Sequence, residues 1–208
     1  QGDNYLVNGD YAGFAQIELE KANPGSTAMF LMGCGGDQNP YPRGTIALCE
    51  QHGKSLAAAV QKVLAGNLAP VGSSIRTGYT VTDLEFQPFD VEVYQKDILS
   101  SNKFLQRMAK LMLEAYNKGW NVSRFPYPVQ AIRFGKDLTI LALSGEVVVD
   151  YSLRTKNEYP KENLFVAGYS NEVMCYIPTK RILEEGGYEA KDSMIYYSMP
   201  GPFTNNVE

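Results

Sequence analysis

The residues best suited to chemistry are few and widely spaced. Ser144-Gly145-Glu146 ends the apolar run Leu138–Leu143, inside the stretch LTILALSGEVVVDYSLRTK. Placing a carboxylate there costs several kcal/mol unless it is paired or bound to a metal. Asp37 lies in a second polar loop, GCGGDQNPYPRG (residues 33–44), and Tyr176 in a third, SNEVMCYIP (residues 170–178). Each loop follows an apolar run that reads as a strand. In α/β folds, sites gather outside the carboxyl ends of strands, so Asp37, Glu146 and Tyr176 are expected in one cleft if those ends share a side.

Each of these residues also has a plain structural reading. A lone Asp in a glycine-rich loop commonly accepts backbone N–H bonds. Glu146 suits the first turn of a helix, where the dipole favours an acid. Tyr176 and Tyr188 are two of 14 tyrosines and read as ordinary half-buried side chains. The only His, His52, follows Glu50-Gln51 on a helical pattern and reads as a solvated helix-face residue. The Gly-rich loop lacks the GK[ST] ending of a phosphate-binding loop, and Ser-Gly-Glu is not a GxSxG nucleophile elbow. Asn121-Val122-Ser123 fits the N-glycosylation pattern, which matters only in a eukaryotic secretory protein.

The totals bound the function. The chain has 208 residues, 44% apolar and 20% charged, with a net charge of −4. That is enough to bury a core, and an acidic balance argues against nucleic acid as a partner. No apolar run approaches the length of a membrane span. Three cysteines, Cys34, Cys49 and Cys175, occur without CxxC spacing, so neither a disulfide framework nor a Cys-based zinc site is expected. With one His, a His-rich zinc site cannot be assembled from this chain alone.

Elements must position these residues. Helical spacing covers 10–21, with Asp10 as the expected N-cap, and 45–66 and 102–118, with Gly119 as a C-cap. The apolar run 27–32 reads as a buried strand, and 75–89 alternates as a strand does. Residues 127–134 and 138–143 suit a hairpin joined by Gly135-Lys136-Asp137. A helix is expected over 147–156, a buried strand over 164–169, a short helix over 178–185, and an apolar run over 194–197. Helices and strands intermix, so the expected fold is α/β with mixed α+β layers: twisted sheets flanked by helices. Residues 1–208 read as a single domain, a piece of something longer.

Taken together, Gly36-Asp37-Gln38-Asn39-Pro40, Ser144-Gly145-Glu146, AGYSNEVMCYIP (167–178) and Gly187-Tyr188-Glu189 resemble the neutral/alkaline (non-lysosomal) ceramidase family. The likeness covers nearly the whole chain and corresponds to the middle and later part of that family's N-terminal catalytic domain. The resemblance implies a zinc-dependent amidase that cleaves the N-acyl bond of ceramide. It implies zinc ligands at Glu146 and Tyr176. It places Tyr188 beside the attacking water and substrate, and Asp37 and Asn39 on the substrate side. The family's two His ligands map upstream of Gln1, and His52 matches neither. The isolated chain is therefore expected to be inactive and to hold zinc poorly.

Two departures are informative. The family loop is Gly-Asp-x-Ser-Pro, and Asn39 stands at its Ser; Tyr188-Glu189-Ala190 stands where the family has Tyr-Glu-Gly. Asn39 can hydrogen-bond but cannot be a nucleophile, which suits a mechanism of metal-activated water. The resemblance further implies a lipid or other amide substrate, peripheral membrane contact, completion of the domain by its N-terminal part, and an extracytoplasmic location (secreted, periplasmic or cell surface). The competing reading is a relative that keeps the fold but binds a lipid or glycan at the cell surface without cleaving it.

Overall fold

The computed structural model describes residues 4–208. In chain order the elements are α1 (Asp10–Ala22), α2 (Ile46–Leu64), β1 (Ile75–Glu85), α3 (Val91–Asp97), α4 (Lys103–Asn117), β2 (Arg124–Phe134), β3 (Leu138–Leu143), β4 (Glu146–Val147), α5 (Val149–Glu158), β5 (Leu164–Ala167), β6 (Tyr176–Ile177), α6 (Lys180–Glu185), a π-helical turn (Tyr188–Asp192) and α7 (Met194–Tyr197). Helix takes 40% and strand 19%, which places the chain in the mixed α/β class with a twisted mixed sheet flanked by helices, as expected.

The chain divides into two compact units. The first comprises the residues up to Leu31 and Asn39–Val71; the second comprises Met32–Gln38 and Gly72–Glu208. In the first unit, α1 and α2 form a helical pair. Their buried positions are small: Ala15 on α1 and Cys49, Gly53 and Ala57 on α2. The α2 positions recur every four residues, so one stripe of the helix lets the two backbones approach closely. Thr45 caps α2, its hydroxyl accepting the Leu48 N–H at 3.2 Å.

Two expectations for this region are corrected. Asp10 is not the N-cap of α1. It is the first helical residue, with φ of 52°, and its own N–H is taken by the Asn8 side chain at 2.7 Å. Its carboxylate instead accepts the Tyr11 N–H at 2.6 Å. The run 27–32 forms no strand. Met29 is 90% exposed and Leu31 50%, because apolar, β-prone residues make a strand only where a neighbouring strand accepts their backbone groups.

The second unit is built on a four-stranded sheet of order β1-β2-β3-β5. β1 to β2 and β2 to β3 are antiparallel, and β3 to β5 is parallel, joined through α5. The hairpin turn places Gly135 at φ 55°. A separate two-stranded parallel ladder, β4-β6, aligns Glu146 with Tyr176 and Val147 with Ile177. The main core gathers Phe86, Tyr127, Leu143, Val147, Ile177, Met194 and Phe203, with the Phe86 and Phe203 rings stacked at 4.6 Å. Helices α3 and α4 carry a second cluster around Tyr94, Met108, Ala109 and Met112. Asn102 caps α4, its side-chain oxygen accepting from the Phe104 and Leu105 N–H groups. The short α3 escapes the periodicity reading because its seven residues are too few to show a period; the Asp90 carboxylate nucleates it by accepting the Glu92 and Val93 N–H groups. Among the described residues no helix is long and apolar enough to cross a membrane.

Candidate functional site

The carboxylate of Glu146 sits at the first position of β4, one residue beyond a glycine in the left-handed region. Gly145 has φ of 77°, and a Cβ there would stand 2.8 Å from the Cys175 carbonyl. Only glycine turns the chain out of β3 and directly into the second ladder. The preceding Ser144 is fully buried and structural: its hydroxyl donates to the Pro128 carbonyl at 3.3 Å, and its own carbonyl accepts from the Tyr127 hydroxyl at 2.8 Å. The two residues that lead into Glu146 are thereby fixed.

Four tyrosines surround the carboxylate. The Tyr169 hydroxyl donates to Oε2 at 3.1 Å, and the Tyr197 hydroxyl donates to Oε1. Tyr176 is the direct ladder partner of Glu146, and its phenol feels the same carboxylate's charge. Tyr188 packs edge-on against Tyr176, ring centroids 5.5 Å apart, and Tyr197 stands 6.3 Å from Tyr176. The cost of setting a carboxylate at the end of an apolar strand is thus offset by charge-assisted hydrogen bonds from phenols. Burial pushes the Tyr176 phenol upward, and the adjacent Glu146 charge pushes it further. The same two influences raise Tyr197, where the hydrogen bond to Glu146 also holds the proton on the phenol. Tyr188 is raised less strongly, first by desolvation, then by Tyr196 and Glu146. At neutral pH these groups are therefore donors facing a carboxylate.

The structure brings three of the five expected residues, Glu146, Tyr176 and Tyr188, into one cluster. Tyr188 is 46% exposed, so the cluster opens to solvent along that ring. Tyr188 begins the π-helical turn, a form found often at functional sites. Asp37 reaches the adjacent backbone: its Oδ1 accepts the Val149 N–H at 2.8 Å, and the Gly36 N–H donates to the Val147 carbonyl at 2.9 Å. Val148, the N-cap of α5, has no side chain able to cap, so Asp37 supplies the cap from 112 residues away. A Cβ on Gly36 would meet the Glu146 carbonyl at 2.5 Å, so this close approach requires glycine. Asn39 belongs to the other unit, where it lines a small cavity of about 120 Å³ with Arg43, Cys49 and His52. His52 is half-buried rather than solvated, its Nε2 2.8 Å from the Pro42 carbonyl.

Tyr169 and Tyr197 were not singled out from the sequence. Tyr169 had a weak signal, since it stands in the same loop as Tyr176, two residues after β5 ends. Tyr197 had none: it lies 51 residues from Glu146, in a run whose apolar content reads as core. The cysteines stay thiols. Cys175 is completely buried, and desolvation together with the Glu146 charge pushes it up to about 12; burial takes Cys34 to about 11. Both act as small core side chains at neutral pH.

As a metal centre, the cluster offers a carboxylate and a phenol oxygen on adjacent strands, two of the four ligands that a tetrahedral zinc site takes. Among the described residues no group of three or more His, Cys, Asp or Glu side chains is arranged to hold a metal ion. No protein-family model matches the chain, and no significant match was found among curated proteins or solved structures.

Proposed function

We propose that the chain is a ceramidase-like zinc-dependent hydrolase that cleaves an amide (N-acyl) bond, with a lipid amide such as ceramide as the default substrate, at an extracytoplasmic location. The observation that carries this reading is the convergence of Glu146, Tyr176 and Tyr188, three residues picked out by the resemblance, from segments 42 residues apart. Glu146 and Tyr176 would hold the zinc, and the remaining ligands would come from outside this sequence. The bound ion supplies a Lewis acid and a means of activating water at neutral pH.

The chain's own residues do the rest. Tyr197 and Tyr169 hold the Glu146 carboxylate in one orientation through its two oxygens, which a ligand position requires. Tyr188, protonated and solvent-accessible, donates a hydrogen bond to the oxygen on which negative charge develops as the carbonyl is attacked. Asp37 acts by positioning: in capping α5 it fixes the β4–α5 junction that carries Glu146. A second reading, a relative that binds a lipid or glycan without cleaving it, is favoured by the same phenols, because they already satisfy the carboxylate.

The test is metal content by mass spectrometry together with hydrolysis of a fluorescent N-acyl amide by the full-length protein. Expected are about one zinc per chain, lost in Glu146→Ala, activity abolished by a chelator and restored by zinc, and a Tyr188→Phe variant that keeps zinc but loses about 10²-fold in kcat. A zinc-free protein, or hydrolysis indifferent to chelation, would sink the amidase reading; ligand binding without zinc would establish the second.

A further inference from the structure

A cavity of about 380 Å³ lies within the second unit, apart from the tyrosine cluster. Its walls are Val93, Leu105, Met108, Met194 and Ile195, with prolines at the rim. That size and apolar lining fit a small organic molecule. Three polar features set its chemistry. Tyr94 lines it and is only 5% exposed, yet its hydroxyl has no hydrogen-bond partner among the described residues. Asp97, half-buried on the same wall, makes no ion pair or side-chain hydrogen bond among the described residues. Asp90 adds a second carboxylate, of which one oxygen serves the α3 cap. The single cation, Lys191, is exposed and free to point to solvent.

We propose that this cavity binds a small hydrophobic organic cation, an ammonium group on an aliphatic body. The ammonium sits against Asp97 and the face or hydroxyl of Tyr94, and the body fills the Met108–Met194 wall. The Tyr94 hydroxyl is without a protein partner yet not sealed from solvent, and Asp97 lines the same cavity without a counter-charge; one ligand with a donor-bearing cation answers both. An aromatic face adds attraction for a cation. The field at Tyr94 agrees with this sign: burial first, and then Asp97 and Asp90, push its phenol up to about 12. A carboxylate-bearing ligand would be repelled by the same two acids. Nothing in this site depends on zinc, or on the amidase reading.

The experiment is carbon-13 methyl NMR of the full chain labelled at its seven methionines, titrated separately with hexylammonium, hexanol and hexanoate. Met108 and Met194 report the cavity, and the other methionines report the rest of the molecule. The expected result is saturable shifts at Met108 and Met194 with hexylammonium, weaker ones with hexanol and weakest with hexanoate. Asp97→Asn, whose own spectrum verifies its fold, should weaken the amine about fivefold and leave hexanol unchanged. Equal response to the three probes, preference for hexanoate, shifts confined to other methionines, or amine binding unaffected by Asp97→Asn would each overturn the proposal.

Discussion

Two β-ladders in the second unit make opposite use of the same backbone chemistry. The β1–β2 ladder pairs eleven residues with eleven, but only Leu84 of β1 is buried, and Ile75, Tyr79 and Val81 are all more than half exposed. The β4–β6 ladder pairs two with two, yet Val147 is fully buried and Ile177 is 2% exposed. A ladder hydrogen bond nets only about 1 kcal/mol, because water competes for the same groups, whereas each buried aliphatic side chain contributes about 1.5–3 kcal/mol. Along β1 the long ladder is thus largely a surface feature held by many weak bonds. The short one is a core feature, and it is the one that carries Glu146 and Tyr176. Positional precision at the site comes from packing behind the strand, not from strand length.

The largest effect should come from removing that packing. Ile177→Ala is expected to cost about 2–5 kcal/mol in denaturant unfolding and to loosen the Glu146–Tyr176 pairing. A cost under 1 kcal/mol would mean that the short ladder stands without its core.

A smaller effect is expected where a polar group ties the site to the sheet. Tyr127→Phe removes the hydroxyl that donates to the Ser144 carbonyl and should cost about 1 kcal/mol at neutral pH. It also has a pH signature. Burial raises the Tyr127 phenol far above its ordinary value near 10, so above that pH the folded state keeps a proton that the unfolded state releases. Stability supplied by this group is complete below about pH 10 and falls as pH rises, by up to about 1.4 kcal/mol per unit. Tyr127→Phe should therefore flatten the alkaline limb of a stability–pH curve, and an unchanged slope would show that Tyr127 does not control it.

The smallest effect belongs to the long ladder. Val81→Ala, at a position 51% exposed, should change stability by no more than about 0.5 kcal/mol. A loss above 2 kcal/mol would erase the contrast between the two ladders.

Much of the fold was legible in the sequence. The helical spans 45–66 and 102–118, the Gly119 stop, the hairpin through Gly135 and the mixed α/β class all follow from local chemistry: positive-φ glycines and hydrophobic period. The run 27–32 was misread for the converse reason. Its residues favour a strand, but a strand needs a partner, and partners are not written locally. Asp10 was misread because the competing side chain, Asn8, lies on the other side of the cap.

The same division holds at the site. That Glu146 follows closely on an apolar strand, and that a glycine precedes it, could be read directly, as could the polar loops holding Asp37 and Tyr176. Only tertiary structure decided that Asp37 serves as the cap of α5, that Asn39 falls in the other unit, and that Tyr169 and Tyr197 complete the ring of phenols around the carboxylate. The sequence determines which groups need a partner, since the cost of leaving a carboxylate or a helix N-terminus unsatisfied is a property of the group itself. Which partner answers is decided by the fold, because residues 51 and 112 positions apart meet only after the core has closed.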